Sequence, residues 1–183
     1  MIKIIKPGLY STIQDKGRVG VQSYGVPYSG SMDSFSSDLA NKILNNSEDA
    51  AVIEITMVGP VLEFNDETVI SITGANLSPL LNNKIIKMYE PVIIKANDLL
   101  SFGGLKSGLR AYIAILGGFK TEKVYGSRSM FKNFTKHFKL NVNDILTFNN
   151  DILFKSSKIT LTKVLDIDKQ IVAYKGPEYD MLN

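Results

Sequence analysis

Short apolar runs separated by turn residues dominate the chain, with a turn signal about every ten residues. This pattern predicts a mostly β fold, built as a barrel or sandwich, and the lack of strand-helix alternation argues against a Rossmann-type sheet. Segments 60–64 and 68–73 flank a turn and are expected to pair as a hairpin. The predicted strands are residues 2–5, 9–13, 51–56, 60–64, 68–73, 85–89, 92–94, 99–102, 109–116, 145–148, 159–165 and 171–174.

One segment, residues 31–45, has the periodicity of an amphipathic helix. Ser31 is the predicted N-cap, and Asp33 in the first turn suits the positive end of the helix dipole. The helix is expected to turn an apolar face to the core, made of Met32, Phe35, Leu39, Ile43 and Leu44.

A glycine-rich stretch, residues 8–33, covers the second predicted strand, the segment that follows it and the first residues of this helix. Its glycines at positions 17, 20, 25 and 30, together with Pro27, interrupt regular structure and predict a long ordered loop. We interpret this stretch as the candidate working surface. A second glycine-rich segment, 103–108, lacks the Lys-Ser/Thr pair of a phosphate loop and is predicted to be a turn between strands.

Composition excludes several kinds of chemistry. The chain has 183 residues, no cysteine and a single histidine, so disulfides, thiolate zinc sites and multi-histidine metal sites are excluded, and no metal is expected. That histidine, His137, has no following carboxylate before Asp144 and is interpreted as a surface or packing residue. Any catalysis must therefore rely on Asp, Glu, Lys, Arg, Tyr, Ser or backbone groups.

Charge and hydropathy favour neither nucleic acid nor a membrane as partner. The net charge of +3 comes from well-mixed residues, 21 basic and 18 acidic. The lysines and phenylalanines that alternate over 131–139 are interpreted as a half-buried segment with solvated lysines rather than a single-strand binding surface. No signal-peptide pattern opens the chain, and no run approaches the ~18 apolar residues of a membrane helix, so we expect a cytoplasmic protein.

Carboxylates and arginines supply the candidate site residues. Gln14, Asp15 and Arg18 follow a predicted strand, where they could bind a planar polar substrate or hold a surface turn by a local ion pair. Asp33 and Ser36 stand at the helix start, where backbone N–H groups can hold an anion or Asp33 can simply cap the helix.

An arginine inside an apolar strand needs a partner. Arg110 shares one face of segment 109–116 with Tyr112, whereas the other face is apolar. Arg110 is expected either to pair with a carboxylate such as Glu54 or to line a pocket. A second arginine, Arg128, lies between two serines after a glycine, which can form an anion-binding turn.

Several long motifs occur in one order, and together they resemble the KipA-like family. This family is also called allophanate hydrolase subunit 2 or the C subunit of bacterial 5-oxoprolinase, and it is related to the carboxyltransferase region of urea carboxylase. The similarity runs from about residue 7 to 129 and returns at 176–178. It rests on PGLYSTIQDKGRVG, GVPYSGSMDSFSSDLAN, AAVIEITMVGP, ITGAN, GLRAYIAILGG and YGSRS.

The resemblance implies a fold of two cyclophilin-like β-barrel domains. Family members are typically much longer, so residues 1–174 are expected to form the first barrel and residues 175–183 the start of a truncated second domain. The chain departs from the family pattern at Met130, where threonine is usual, and over 131–139, where a glycine-rich stretch is usual.

The resemblance also implies a function and its partners. The chain is expected to be a subunit of an ATP-dependent 5-oxoprolinase, with ATP bound at a site shared with a subunit-B-like (KipI-like) protein and a subunit-A-like protein. The fragment alone is expected to be inactive. Asp15 or Asp33 is the expected base, and the expected substrate contacts are Gln14, Arg18, Ser36 and Arg110.

Two other functions are compatible with the same resemblance. One is biotin-dependent carboxyl transfer to urea or a similar amide, with a separate protein carrying the biotin because the chain lacks a Met-Lys-Met motif. The other is a binding module without catalysis that antagonises an inhibitor of a kinase.

Overall fold

The computed structural model describes residues 1–149 and 175–176, and it confirms the mostly β fold class. The described elements are β1 (Ile2–Lys6), β2 (Tyr10–Gln14), α1 (Ser34–Ile43), β3 (Val52–Thr56), β4 (Val61–Phe64), β5 (Thr68–Asn76), β6 (Pro79–Leu81), β7 (Lys84–Ile85), β8 (Val92–Ile94), β9 (Leu99–Phe102), β10 (Ser107–Ile115) and β11 (Ile145–Leu146). The predicted strands 159–165 and 171–174 and most of the expected second-domain start, 175–183, lie outside the described residues.

The strands form two antiparallel sheets. One sheet has the order β11-β1-β4-β9-β6-β7, and the other has the order β2-β3-β10-β5-β8. Residues from both sheets meet in one apolar core, including Ile4 and Phe64 from the first and Ile55 and Ile113 from the second, each at most 1% exposed. Each such side chain contributes about 1.5–3 kcal/mol by leaving water.

The predicted hairpin of segments 60–64 and 68–73 is wrong. β4 pairs with β1 and β9, whereas β5 pairs with β10 and β8. The short turn between them carries the chain from one sheet to the other. Leu62 and Ile72 therefore meet across the core instead of side by side in one sheet.

The helix begins later than the sequence predicts. Asp33, not Ser31, is the N-cap, because its Oδ1 accepts a hydrogen bond of 3.0 Å from the Ser36 backbone N–H. The predicted apolar face is also wrong at its first turn, since Met32 is 70% and Phe35 is 60% exposed.

Small residues on α1 explain which face it buries. The helix packs on the outer side of the five-stranded sheet, where the Ser71 hydroxyl donates to the Ala40 carbonyl (2.6 Å) and the Thr73 hydroxyl donates to the Ser36 carbonyl (2.7 Å). These bonds require close approach of helix and sheet, which Ser36 and Ala40 allow and a large apolar side chain would prevent. The predicted alternation of β10 is confirmed from Ala111 onward: Ala111, Ile113 and Ile115 face the core, and Tyr112 lies under the helix. Leu109, predicted on the same apolar face, is 48% exposed, because the register of β10 shifts between Ser107 and Ala111.

Residues 103–106 of the predicted turn connect β9 to β10, whereas Ser107 and Gly108 already belong to β10. Among the described residues, no helix is both long enough and apolar enough to cross a bilayer.

Candidate functional site

A line of polar side chains crosses the outer face of the five-stranded sheet beneath the start of α1. Thr12 of β2 lies opposite Glu54 of β3, Glu54 lies opposite Tyr112 of β10, and Tyr112 lies opposite Thr73 of β5. Because residues directly opposite each other on neighbouring strands point to the same face, all four stand on the same side of the sheet. We call these four residues the polar row.

Glu54 is the centre of the polar row. Its carboxylate is 8% exposed and accepts hydrogen bonds from the Tyr112 hydroxyl (2.9 Å) and the Met32 backbone N–H (2.7 Å). The Tyr112 oxygen in turn accepts from the Asp33 backbone N–H at 2.8 Å. The row thus fixes the two residues that lead into the helix.

Tyr112 acts as a neutral donor to this carboxylate. Burial raises the pKa of Tyr112 well above the usual value for a phenol, and the neighbouring Glu54 charge raises the pKa further. The hydrogen bond from the Tyr112 hydroxyl to the Glu54 carboxylate is strong, because the acceptor carries a full charge.

Arg110 forms an ion pair with Glu54, which is one of the two environments that the sequence predicts for it. Its Nε lies 3.4 Å from Glu54 Oε1, and its side chain is 29% exposed. The Nε atom is buried without a hydrogen-bond partner, and no described residue hydrogen-bonds the two terminal nitrogens of this arginine. Arg110 is therefore held at its inner nitrogen while its outer nitrogens stay available to an anion.

Gln14 and Ser31 each carry a buried polar atom without a partner. The Gln14 amide nitrogen donates to Thr12 Oγ1 (3.0 Å) and to the Met130 carbonyl (3.2 Å), but Gln14 Oε1 has no partner within the described part of the chain. The same holds for Ser31 Oγ. Buried polar atoms without a hydrogen-bond partner are rare. The unpaired Gln14 Oε1 and Ser31 Oγ lie near one loop, and they therefore indicate a binding place for a polar ligand there.

Asp15 joins two segments that are distant in the sequence. Its Oδ1 accepts from Ser127 Oγ (2.5 Å), Ser129 Oγ (2.7 Å) and the Gly17 N–H (2.9 Å), and its Oδ2 accepts from the Arg128 N–H (2.6 Å). We call Asp15, Ser127, Arg128 and Ser129 the Asp15 latch. Four donors occupy the acceptor sites of a carboxylate, so this geometry supports a fixed structural role. The expected role of Asp15 as a base stays a prediction.

Arg18 is enclosed rather than open to a substrate. It is 0% exposed, and its guanidinium donates to the Val124 carbonyl (3.0 Å), Ser29 Oγ (2.8 Å) and the Ser129 carbonyl (2.6 Å). Burial lowers the pKa of Arg18, and the Asp15 charge partly offsets that effect. These bonds tie the glycine-rich loop to the segment 124–129, and the expected substrate contact of Arg18 stays a prediction.

Asp33 and Ser36 lie together at the helix start. Beyond the cap, Asp33 Oδ2 accepts from the Ser36 hydroxyl at 2.5 Å. The structure thus brings Asp33, Ser36 and Arg110 to the polar row. Asp15 belongs to the latch, and Arg18 contacts the latch through the Ser129 carbonyl.

The sequence did not predict that Tyr89 contacts this region, nor why residue 74 is a glycine. The Tyr89 hydroxyl donates to the Gly74 carbonyl at 2.8 Å, and burial raises its pKa. Gly74 has φ +82, and a Cβ there would lie 2.5 Å from the Arg110 carbonyl oxygen. The motif ITGAN therefore carries a glycine that the backbone of the Arg110 strand requires.

Comparison with known proteins gives the class. The chain belongs to the carboxyltransferase domain family, subdomains A and B, whose family model matches residues 24–183. This agrees with the resemblance drawn from the motifs.

The individual relatives fall into two groups. The chain is 45% identical over 131 residues to urea amidolyase of Saccharomyces cerevisiae, which is 71% of this chain and 7% of that protein. It is 32% identical over 129 residues to the C subunit of 5-oxoprolinase from Escherichia coli, which is 70% of this chain and 42% of that protein. The crystal structure of the K. lactis urea amidolyase matches 85% of this chain and 10% of that one, with a TM-score of 0.77 at 38% identity. The chain thus matches less than half the length of these relatives.

Proposed function

We propose that this chain forms the amide-binding wall of an ATP-dependent amide hydrolase of the 5-oxoprolinase type, working with a subunit-B-like (KipI-like) protein and a subunit-A-like protein. The observation that carries the proposal is Arg110, which is anchored at Nε by Glu54 and open at both terminal nitrogens. The relationship to the C subunit of 5-oxoprolinase supports the choice of enzyme.

The open groups suit a cyclic amide that also carries a carboxylate. A guanidinium binds a carboxylate through two parallel N–H bonds, and the Glu54 contact keeps the planar group of Arg110 in one orientation. Gln14 Oε1 is an unpaired acceptor, which suits the N–H of an amide. 5-Oxoproline has both features, a carboxylate and a ring amide N–H.

An amide must be activated before water can open it. Transfer of the γ-phosphoryl group of ATP to the amide oxygen releases ADP and makes the carbonyl carbon an electrophile. Water attacks that carbon, and the C–N bond then breaks, so that the ring opens to an acyl phosphate with a free amine. A second water hydrolyses the acyl phosphate to glutamate and phosphate. Asp33 is the proposed base for the first water, because it is half-buried, held by Ser36 and next to the polar row. We assign ATP to a site shared with the partner subunits, since the segment 103–108 lacks the features of a phosphate loop.

Carboxyl transfer from biotin to urea or a similar amide is the second candidate. It is favoured by the higher identity to urea amidolyase, 45% against 32% for the 5-oxoprolinase relative. Arg110 would then hold the carboxylate that forms on the amide nitrogen, and a separate protein would supply the biotin.

The test is ATP-dependent glutamate formation from 5-oxoproline by the assembled complex. Arg110→Gln removes the charge and both terminal nitrogens of the side chain and should raise the KM for 5-oxoproline at least tenfold. Lys106→Gln, at an exposed position, should match the parent. Full activity of Arg110→Gln would overturn the site. Absence of glutamate, combined with urea-dependent ATP use that avidin abolishes, would replace the first function with the second.

A further inference from the structure

A second concave site lies beside the Asp15 latch, and its lining includes none of the polar-row residues. It is a cavity of about 230 Å³, with an apolar part that includes Met130 and Leu146. The charged and titratable groups around it are Lys120, Glu122, Arg128, Lys136, His137 and Asp144. We call it the basic cavity.

The cations of the basic cavity have no ion-pair partners in the described part of the chain. The ion pairs found there lie elsewhere and involve the N-terminus, Lys16 and Arg110. Lys120, Arg128 and Lys136 therefore line the cavity without a carboxylate within 4.0 Å, although two carboxylates also line it. Asp144 already accepts the Asn141 backbone N–H at 2.7 Å. Unpaired like charges around a concave surface create a potential that attracts an anion.

Neutral donors and shape add to this attraction. Thr121 lines the basic cavity, and its hydroxyl is buried without a hydrogen-bond partner among the described residues. The Thr121 carbonyl accepts a hydrogen bond from Arg128 Nη1, and the Arg128 backbone N–H is held by Asp15, so this arginine is fixed in place. The volume equals roughly eight water molecules at ~30 Å³ each. It holds a phosphate group but is smaller than the ~300–1,000 Å³ of a site for a drug-sized ligand.

We propose that the basic cavity binds a phosphate group. Three cations and one unpaired hydroxyl surround the space, which suits the several oxygens of a tetrahedral oxyanion better than a planar carboxylate. Lys136 and His137 come from the segment 131–139, and Lys136 is exposed. The basic cavity is separate from the proposed amide site and does not depend on it.

The test is titration calorimetry of the full chain with inorganic phosphate, and separately with ATP. Phosphate should bind to the parent chain. Lys136→Gln and Arg128→Gln should each raise the Kd for phosphate at least fivefold. Lys132→Gln is the matched control, since Lys132 lies in the same segment, is exposed and does not line the cavity. Lys136 is exposed, so its variant should fold normally even where Arg128→Gln disturbs the latch.

The two titrants separate the sources of the phosphate group. Binding of inorganic phosphate that Lys136→Gln weakens, without binding of ATP, indicates a free oxyanion. Binding of ATP that the same variant weakens indicates the phosphate end of a nucleotide. No binding of either titrant, or equal weakening by Lys132→Gln, would overturn the proposal.

Discussion

Replacing Tyr112 by phenylalanine tests the polar row most directly, because the change removes one oxygen atom and creates no apolar cavity. That oxygen donates to Glu54 at 2.9 Å and accepts from the Asp33 N–H at 2.8 Å. The variant loses a bond to a charged group, worth about 1.5–3 kcal/mol, and leaves a partly buried N–H unpaired at a cost of about 1–3 kcal/mol. Glu54 keeps Met32 and Arg110 as partners, so we expect a net loss of about 2–4 kcal/mol in the free energy of unfolding.

Urea unfolding of the full chain, followed by circular dichroism, measures this loss. The midpoint should fall while the slope of free energy against urea concentration stays constant. Tyr89→Phe is the matched control. Its hydroxyl makes one neutral bond to a carbonyl, so its loss should cost only about 0.5–1.5 kcal/mol. Equal costs for the two variants would refute the idea that Tyr112 stabilises a buried carboxylate.

The same tyrosine predicts a pH dependence. The pKa of Tyr112 is raised in the folded chain, so above the unfolded value of ~10 the folded state binds more protons than the unfolded state. Its contribution to stability is therefore full below pH ~10 and declines as pH rises beyond that value. Tyr112→Phe should reduce the steepness of this alkaline decline. An unchanged alkaline slope would contradict the assignment.

The remaining predictions concern the two backbone features at the site. Asp33→Ala removes the N-cap bond to Ser36 and should cost about 1 kcal/mol in thermal unfolding, with most of it recovered in Asp33→Ser; equal losses in the two variants would argue against capping. Gly74→Ala places a Cβ 2.5 Å from the Arg110 carbonyl oxygen at a φ of +82, so it should cost more than about 1 kcal/mol and shift the strand that carries Arg110. Gly104→Ala, in open space on the turn 103–108, is its control, and a Gly74→Ala variant as stable as this control would contradict the steric reason.

The sequence predicts most of what depends on neighbouring residues. Period-two alternation places Arg110 and Tyr112 on one face of β10. The need of a strand arginine for a carboxylate offers Glu54 as one of two predicted environments, and the structure shows that pair. These predictions succeed because one register brings β3 and β10 together over several residues.

What the sequence does not predict depends on distant contacts. Ser31 and Asp33 are both good capping residues. The hydrogen bonds from the Met32 and Asp33 backbone N–H groups to the polar row fix Asp33 as the cap. Phe35 is exposed because Ser36 and Ala40, rather than larger side chains, pack closely on the sheet. The hydrophobic periodicity of the helix does not predict this contact. The local sequence pattern also does not show which strands pair with each other. The hairpin prediction failed because β4 and β5 belong to different sheets.

The Asp15 latch has a consequence for the order in which the chain folds. Its bonds join residues that are 112 to 114 positions apart, so they close a long loop and must overcome its entropy. Contacts of such separation are slow to form compared with a helix or a tight turn. The glycine-rich loop therefore gains its final shape only after the chain has been synthesised past Ser129, and a nascent chain that stops before that residue presents the loop unfastened to proteases and chaperones.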